Sequence, residues 1–437
     1  MHYMELGGAE ISLIGLLQAL DYSKYEVDLF IHRHQGELMQ YIPKEVNLLP
    51  EIPAYACIES PMTEAFRKGQ WGIVWGRLKA KIRARRYQPK DASKPQYAIY
   101  QYIAQEVEPY LPSLEQYGEY DLAISFLQPH NYVLSKVKAK KKACWIHTDY
   151  TKVEFDAKAE LPIWTAYDHI VSISPDVTKA FLQVFPSLSD KIVEMENILS
   201  SEFVRKRAEE FEANPNLLET CGTSEQARAN PNPNANANPN PNERVINILS
   251  VGRFSDAKNY DNVPDICRLV NANANPNPNP NANPNANDNG NLNKEAKLTV
   301  RWFLIGWGGD EQLIRQKIVE AGMEDNVIIL GKRSNPYPYM KACDIYAQPS
   351  RYEGKSVTVR EAQMLCKPVV ITDYATAKSQ VQDGLDGVIV PMDNEGCAKG
   401  IADFIRNTAL QSKIVEYLQT HDYGNVDEAK KLDILTK

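Results

Sequence analysis

The chain has 437 residues, 43% hydrophobic and 24% charged, and its 49 Lys and Arg against 56 Asp and Glu leave a net charge of -7. That length exceeds one ordinary core and points to two domains with a ligand cleft at their boundary, while the modest negative balance carries no nucleic-acid signal. Seven scattered cysteines without a C-x-x-C pair argue against a disulfide framework or a zinc site and for reduced thiols in a cytosol, and no run of about 20 apolar residues or signal core appears.

In chain order, Gly7-Gly8-Ala9-Glu10 is a glycine turn leading into a helix near Ile11, with Ile11, Ile14, Leu17 and Leu20 at helical spacing. Such a turn normally follows a strand, yet only Met1 to Leu6 precede it, so the first strand is either very short or missing. Glu26 to Ile31 reads as a strand. From Arg67 to Lys90 there are nine Lys or Arg and no acid, and Trp71, Trp75, Leu78 and Ile82 share one helical face. A basic amphipathic helix with tryptophans lies in an anionic bilayer interface, or packs that face on the first domain and leaves its cations in solvent. Both readings stay open.

Strand-like runs recur at Asp121 to Leu127, Ala143 to His147 and His169 to Ser174, and Lys138 to Lys142 reads as a solvated turn. A second series begins at Val245 to Val251 and continues at Leu298 to Ile305, Val327 to Leu330, Asp344 to Ala347, Pro368 to Ile371 and Gly387 to Val390. Strands alternating with helical segments predict parallel sheets covered on both faces, in two Rossmann-like units. The expected limits are 1–197 for the first domain, 198–244 for a linker, 245–410 for the second domain and 411–437 for a helical tail. Ala229 to Asn242 and Asn271 to Asn289 break this grammar, since Asn, Pro and Ala bury little and proline blocks regular structure. These Asn-Ala-Asn-Pro-like stretches read as mobile insertions at connections, outside any catalytic role.

Glu353-Gly-Lys-Ser-Val-Thr-Val-Arg-Glu361 sets two carboxylates eight residues apart, the first in a loop after a strand and the second inside the next helix. A loop glycine before a helix N-terminus is an anion site, because unpaired backbone N–H groups point outward there. By spacing alone, an acidic pair of this kind is usually solvated surface. Arg253 and Lys258, however, follow the strand ending at Val251, so both cations belong to the carboxyl edge of a parallel sheet. A planar guanidinium with a compact ammonium suits a diphosphate.

Further on, Glu361-Ala-Gln-Met-Leu-Cys-Lys-Pro368 leads into Val-Val-Ile-Thr-Asp373, and Gln382-Asp-Gly-Leu-Asp-Gly387 precedes the last strand. Together these segments resemble the C-terminal domain of glycosyltransferase family 4, across most of Ile246 to Gly400 outside the repeat, with its E-x7-E element matched in full. Gly7-Gly8-Ala9-Glu10, Trp145-Ile-His147-Thr-Asp149, Ser172-Ile-Ser174 and Glu196-Asn197-Ile198 resemble the first domain of the same family more loosely. The nearest likeness is to bacterial enzymes of capsule, exopolysaccharide or lipopolysaccharide synthesis.

The resemblance implies an α/β GT-B fold, two Rossmann-like domains facing across a cleft, with the donor held mainly by the second and the acceptor by the first. Carried over by position, Arg253 and Lys258 grip the diphosphate and Glu361 binds the ribose hydroxyls. Glu353 contacts the donor sugar beside the N–H groups of Gly354, Lys355 and Ser356, and His147 faces that sugar from the first domain. Gly8 and Gly331 complete the donor-binding set, Gly331 near the base. Gly306, Gly308 and Gly309 read simply as a turn.

The implied reaction moves a hexosyl group, with retention, from a nucleotide diphosphate sugar to a glycan or polyprenyl-linked acceptor of cell-surface polysaccharide. No D-x-D sequence occurs, and Arg253 with Lys258 supply the charge a metal would bring, so neither a cofactor nor an obligatory divalent ion is expected. The setting is cytoplasmic, peripheral on the inner face of the membrane if residues 67–90 dock there. Two alternatives stand beside it: another GT-B activity such as a sugar-nucleotide epimerase, and an inactive body displaying the Asn-Pro repeats.

Overall fold

Runs of Val, Ile, Leu and Trp that leave no face for water become buried parallel strands in the computed structural model, which describes residues 1–5, 7–211, 213, 243–275 and 297–437. The expected insertion 229–242 and positions 276–289 of the other lie outside the described residues. The chain divides into two units, Met1–Ser200 with Asn425–Lys437, and Ser201–Gly424.

In the first unit, β1 (Asp28–Leu29) and β2 (Asn47–Leu48) form a short parallel pair. The strand expected over Glu26 to Ile31 is thus two residues long, and Met1 to Met4 run beside its continuation. His32 N–H donates to Met1 O at 2.9 Å, Arg33 N–H to His2 O at 2.9 Å and Met4 N–H to Gln35 O at 2.8 Å. Four more strands, β3 (Glu119–Ser125), β4 (Lys138–Ile146), β5 (His169–Ser172) and β6 (Ile192–Glu194), make a parallel sheet in sequence order. Three helices matter below: α1 (Gly8–Ala19), α2 (Trp71–Arg86) and α3 (Ala98–Val107).

Lys138 to Lys142 is not a turn. It is the leading half of β4, where Lys138 pairs with Glu119 at 2.9 Å and Lys140 with Asp121 at 2.6 Å across to β3. Opposite charges on adjacent strands make a lysine run compatible with a sheet edge.

The second unit opens with α4 (Ser201–Ala208) in what reads as linker. Arg207 Nη2 donates to Ser334 O at 2.8 Å and Asn335 Nδ2 to Arg207 O at 2.8 Å, so this helix belongs to the second unit's body. Six parallel strands follow: β7 (Glu243–Val251), β8 (Lys297–Ile305), β9 (Val327–Gly331), β10 (Ile345–Gln348), β11 (Val369–Thr372) and β12 (Val388–Val390). Their order is β12-β11-β10-β7-β8-β9, so the chain builds outward from β7 in one direction and then, from β10, in the other. Ile248, Val300 and Trp302 pack against α5 (Val263–Ala274) on one face; Leu249, Phe303 and Tyr346 pack against α6 (Tyr337–Ala342) and α7 (Val357–Met364) on the other. Two helices, α8 (Asn394–Arg406) and α9 (Thr408–Thr420), close the first face through Ile401 and Ile414.

Two expectations are corrected here. The first five positions of the insertion expected from Asn271 are ordered as the end of α5 and its C-cap, because their amides find strand partners. Asn271 exchanges hydrogen bonds with both backbone groups of Val300, at 2.8 and 3.1 Å, and Asn275 does the same with Leu298, at 2.9 and 2.6 Å. The expected tail 411–437 is also divided. α9 stays in the second core through Ile414 and Leu418, whereas 425–437 return to the first unit, where Leu432 and Leu435 are buried. Asn425 Nδ2 donates to Asn197 O at 3.0 Å and Asn425 Oδ1 accepts from Leu199 N–H at 2.8 Å.

Candidate functional site

In a doubly wound sheet, ligands bind beyond the carboxyl ends of the strands where the winding reverses. In the second unit that point lies between β7 and β10, hydrogen-bonded neighbours whose chains then diverge. The loops leaving these two strands carry Arg253, Lys258 and Glu353. Lys258 ends a 3-10 turn, Asp256–Lys258, that Asn259 closes in the left-handed conformation at φ 59. Lys258 Nζ lies 2.6 Å from Glu353 Oε1, with side chains 18% and 12% exposed. The same oxygen accepts from Gln348 Nε2 at 2.9 Å and Ser350 Oγ at 2.6 Å. With Oε1 surrounded by three donors, the carboxylate is held in one orientation, and Oε2 is unengaged among the described residues.

A second bridge fixes the two loops against each other. Arg351 makes a two-point pair with Asp261, 3.0 Å through Nη1 and 2.8 Å through Nη2, and its backbone N–H donates to Ala257 O at 2.9 Å. Thr376 Oγ1 donates to Glu353 O at 2.9 Å, tying in the loop after β11. Arg253 is exposed, which leaves its guanidinium available to an anion.

The glycines after β8 are more than a turn. Gly306 has φ 155, and a Cβ there would lie 1.8 Å from Gly252 O; one on Gly308 would lie 2.1 Å from Phe254 O. Their bareness lets the loops after β7 and β8 pair, with Gly252 N–H donating to Ile305 O at 3.0 Å and Phe254 N–H to Trp307 O at 2.8 Å. Gly331 ends β9 at φ 73 in open space and accepts at its carbonyl from Gly306 N–H at 3.0 Å.

Gly354, Lys355 and Ser356 lead into α7, with Ser356 at the N-cap making no side-chain cap bond to the first-turn N–H groups. Ser356 Oγ contacts Thr358 Oγ1 instead, at 3.0 Å. The uncapped end presents backbone donors and a positive dipole end beside Glu353. Glu361 lies one turn further in. It is 1% exposed and accepts from Tyr337 Oη at 2.7 Å. Burial lifts its carboxyl to about 7, against the opposing pull of the Tyr337 hydrogen bond and the Arg207 charge.

The first unit holds the other two expected residues. Gly8 is exposed at the start of α1. His147 follows β4, its ring 4.9 Å from that of Phe126, and its Nε2 is buried without a hydrogen-bond partner among the described residues. Burial pushes its pKa down to about 4, so the imidazole is neutral near pH 7, and a hydrogen bond to the Phe126 backbone opposes that shift only in part. The structure therefore brings Lys258 and Glu353 into contact, keeps Glu361 as a buried neighbour through α7, and leaves His147 and Gly8 in the other unit.

Gln348, Ser350, Tyr337 and Arg351 were not among the sequence candidates. Gln348 offered a signal: a fully buried amide closing the otherwise apolar strand Ile345–Gln348 needs partners for both ends, which Glu353 and Tyr346 supply.

An α/β unit with two cations and an uncapped helix start at its switch point has the architecture of a doubly wound domain whose sheet-edge loops can receive an anion. Its family is given by comparison: residues 232–421 match the model of "Glycosyl transferases group 1", and this part of the chain is a domain of that family. Among curated proteins, the chain is 30% identical over 149 residues, 34% of each chain, to the N-acetylgalactosamine-N,N'-diacetylbacillosaminyl-diphospho-undecaprenol 4-alpha-N-acetylgalactosaminyltransferase of Campylobacter jejuni. It is 29% identical over 86 residues, 19% of this chain and 24% of the other, to the lipopolysaccharide core biosynthesis mannosyltransferase LpsB of Rhizobium meliloti. These matches span about a third or less of the relatives' length. The solved structure of Anabaena HepE in complex with UDP-glucose superposes over 99% of this chain and 97% of its own, with a TM-score of 0.58 at 17% identity. That likeness shows the fold, which is GT-B.

Proposed function

We propose that the protein is a retaining glycosyltransferase that moves a hexosyl group from a nucleotide diphosphate sugar to a glycan or lipid-linked acceptor in cell-surface polysaccharide synthesis. The observation that carries this reading is the Lys258–Glu353 contact at the switch point of the second unit, 2.6 Å long and braced by Gln348 and Ser350. Departure of a nucleoside diphosphate from the anomeric carbon builds negative charge on the leaving group and positive charge on the sugar. Lys258 and Arg253, with the N–H groups at the start of α7, are fixed donors for the leaving diphosphate. Glu353, anchored through Oε1, offers Oε2 to a sugar hydroxyl. Glu361 takes the ribose hydroxyls and Gly331 leaves room for the base.

Retention follows if the acceptor attacks on the face the diphosphate leaves, within an ion-pair-like transition state, and we assign no covalent nucleophile. His147, neutral through burial, serves in this reading as a hydrogen-bonding group toward the sugar rather than as a cation. Because Arg253 and Lys258 supply positive charge, no divalent ion is required. The six described cysteines are all free, which suits a reducing cytoplasm. Among the described residues, no helix is long and apolar enough to cross a membrane.

The test is a thermal-shift screen with nucleotide sugars, followed by transfer assays with the best ligand in excess chelator. Stabilisation by one donor, transfer that survives chelation and an anomerically retained product by NMR are expected. Glu361→Ala should weaken donor binding, and Lys258→Ala should slow transfer by about a hundredfold or more. Wild-type kinetics in both variants, or an inverted product, would overturn the reading.

A further inference from the structure

Sequence pattern and packing disagree in α2. Trp71, Trp75, Leu78 and Ile82 recur at helical spacing, the arrangement that normally marks the face turned to a core. In the structure that face is turned to water: the four side chains are 59%, 55%, 41% and 52% exposed. The buried face is the opposite one, made of Ile73, Gly76 and Ala80. Small residues put it there. A Cβ on Gly76 would lie 2.5 Å from Glu106 O, and one on Gly72 would lie 2.6 Å from the Tyr110 ring, so α2 lies directly against α3 and the turn after it. Phe66, 53% exposed, extends the outward stripe with its ring 4.1 Å from that of Trp71.

The charges beside the stripe are of one sign. Projected on a helix of 3.6 residues per turn, Lys79 and Arg86 fall on one flank and Lys81 and Arg85 on the other, all exposed. The two remaining arginines of α2 are engaged elsewhere, Arg77 with Ser60 O and Arg83 with Glu106 at 3.3 Å. No acid lies between Arg67 and Lys90.

We propose that this face of the first unit docks on an anionic lipid bilayer, with α2 lying in the interface, its apolar stripe below the headgroups and its flanking cations among them. Sixteen residues make a helix about 24 Å long, enough to lie flat but not to span. Tryptophan suits the interface, since the ring is apolar and its N–H can still meet water or headgroups. Charge complementarity separates this occupant from a second copy of the chain: a twofold contact through the stripe would set the same four cations against each other. The inference rests on packing and charge in the first unit, so it stands or falls separately from the transfer reading.

Flotation of the full chain with vesicles tests it, using phosphatidylcholine alone and phosphatidylcholine with equal phosphatidylglycerol, at low and high salt. Binding to the anionic vesicles that weakens with salt is expected, with a blue shift of tryptophan emission. The double variant Trp71→Ser, Trp75→Ser removes exposed groups only, so its unfolding midpoint should stay near wild type while its vesicle partition falls about tenfold per tryptophan. Neutralising Lys79, Arg85 and Arg86 to Gln should lower partition about fivefold per cation. No binding to anionic vesicles at low salt, or equal binding by the variants, would overturn the proposal. So would indifference to vesicles combined with a stripe-dependent dimer, or with a stripe-dependent complex with an acidic protein.

Discussion

Replacing Glu361 by Gln isolates the cost of keeping a carboxylate inside the second unit. Glu361 is 1% exposed, with a carboxyl raised from 4.5 to about 7 mainly by burial. A carboxyl raised in this way contributes fully to stability below its unfolded value and loses that contribution as pH climbs through the folded one. The interval from 4.5 to about 7, at roughly 1.4 kcal/mol per unit, makes the ionised side chain cost about 3 kcal/mol near pH 8. Near pH 5.5 most of the folded protein is still protonated there, and the same linkage gives a cost of about 1.4 kcal/mol. Glutamine keeps a carbonyl for the Tyr337 hydroxyl, 2.7 Å from Glu361 Oε1, and never ionises. Glu361→Gln should therefore gain about 2 kcal/mol on wild type between pH 5.5 and pH 8, read from urea melts of both proteins across that range. Nucleotide affinity should move the other way, because the ribose hydroxyls lose a charged acceptor. A stability difference that does not change with pH, or that favours wild type increasingly toward pH 8, would refute the reasoning.

Removing Lys258 alone, as Lys258→Met, leaves the Glu353 side chain, 12% exposed, with only Gln348 and Ser350 as partners and should cost about 3 kcal/mol in chemical denaturation. Adding Glu353→Gln should recover about 1 to 2 kcal/mol of that, and strict additivity of the two changes would show that the pair is not coupled. Gly306→Ala places a methyl 1.8 Å from Gly252 O at a φ of 155 and should prevent the loops from pairing, with a loss of several kcal/mol or no folded protein. Gly309→Ala meets nothing within 4 Å and should melt within a degree or so of wild type; similar behaviour of the two variants would contradict the close approach.

The second unit was legible because its strands are nearly continuous apolar runs, so strand ends could be placed and the residues just beyond them read as sheet-edge groups. Arg253, Lys258 and Glu353 were found that way. Gln348 and Ser350 were missed because their importance comes from what they surround: the loop leaving β10 folds back so that the Glu353 oxygen, three to five residues on, meets both side chains. Lys138 to Lys142 was misread as a turn because its charges dominate a local window, whereas the acids that make it a strand, Glu119 and Asp121, lie about 19 residues earlier. In α2 the spacing identified the apolar stripe but could not say which face was inside. Gly76 and Ala80, the residues that decide it, carry almost no hydrophobic signal, and their effect comes from letting backbone approach backbone.

Asn271 and Asn275 have a consequence for how the sequence can change. Each amide clasps both backbone groups of one residue in β8, so the end of α5 is latched to that strand by two pairs of hydrogen bonds. A two-bond clasp fixes a helix end against a strand whatever joins them in sequence, and between two points fixed in this way each doubling of a flexible connection costs only about 0.6 kcal/mol. The constraint on sequence therefore falls on the two asparagines, since a change at either would strip two strand groups of their partners at once.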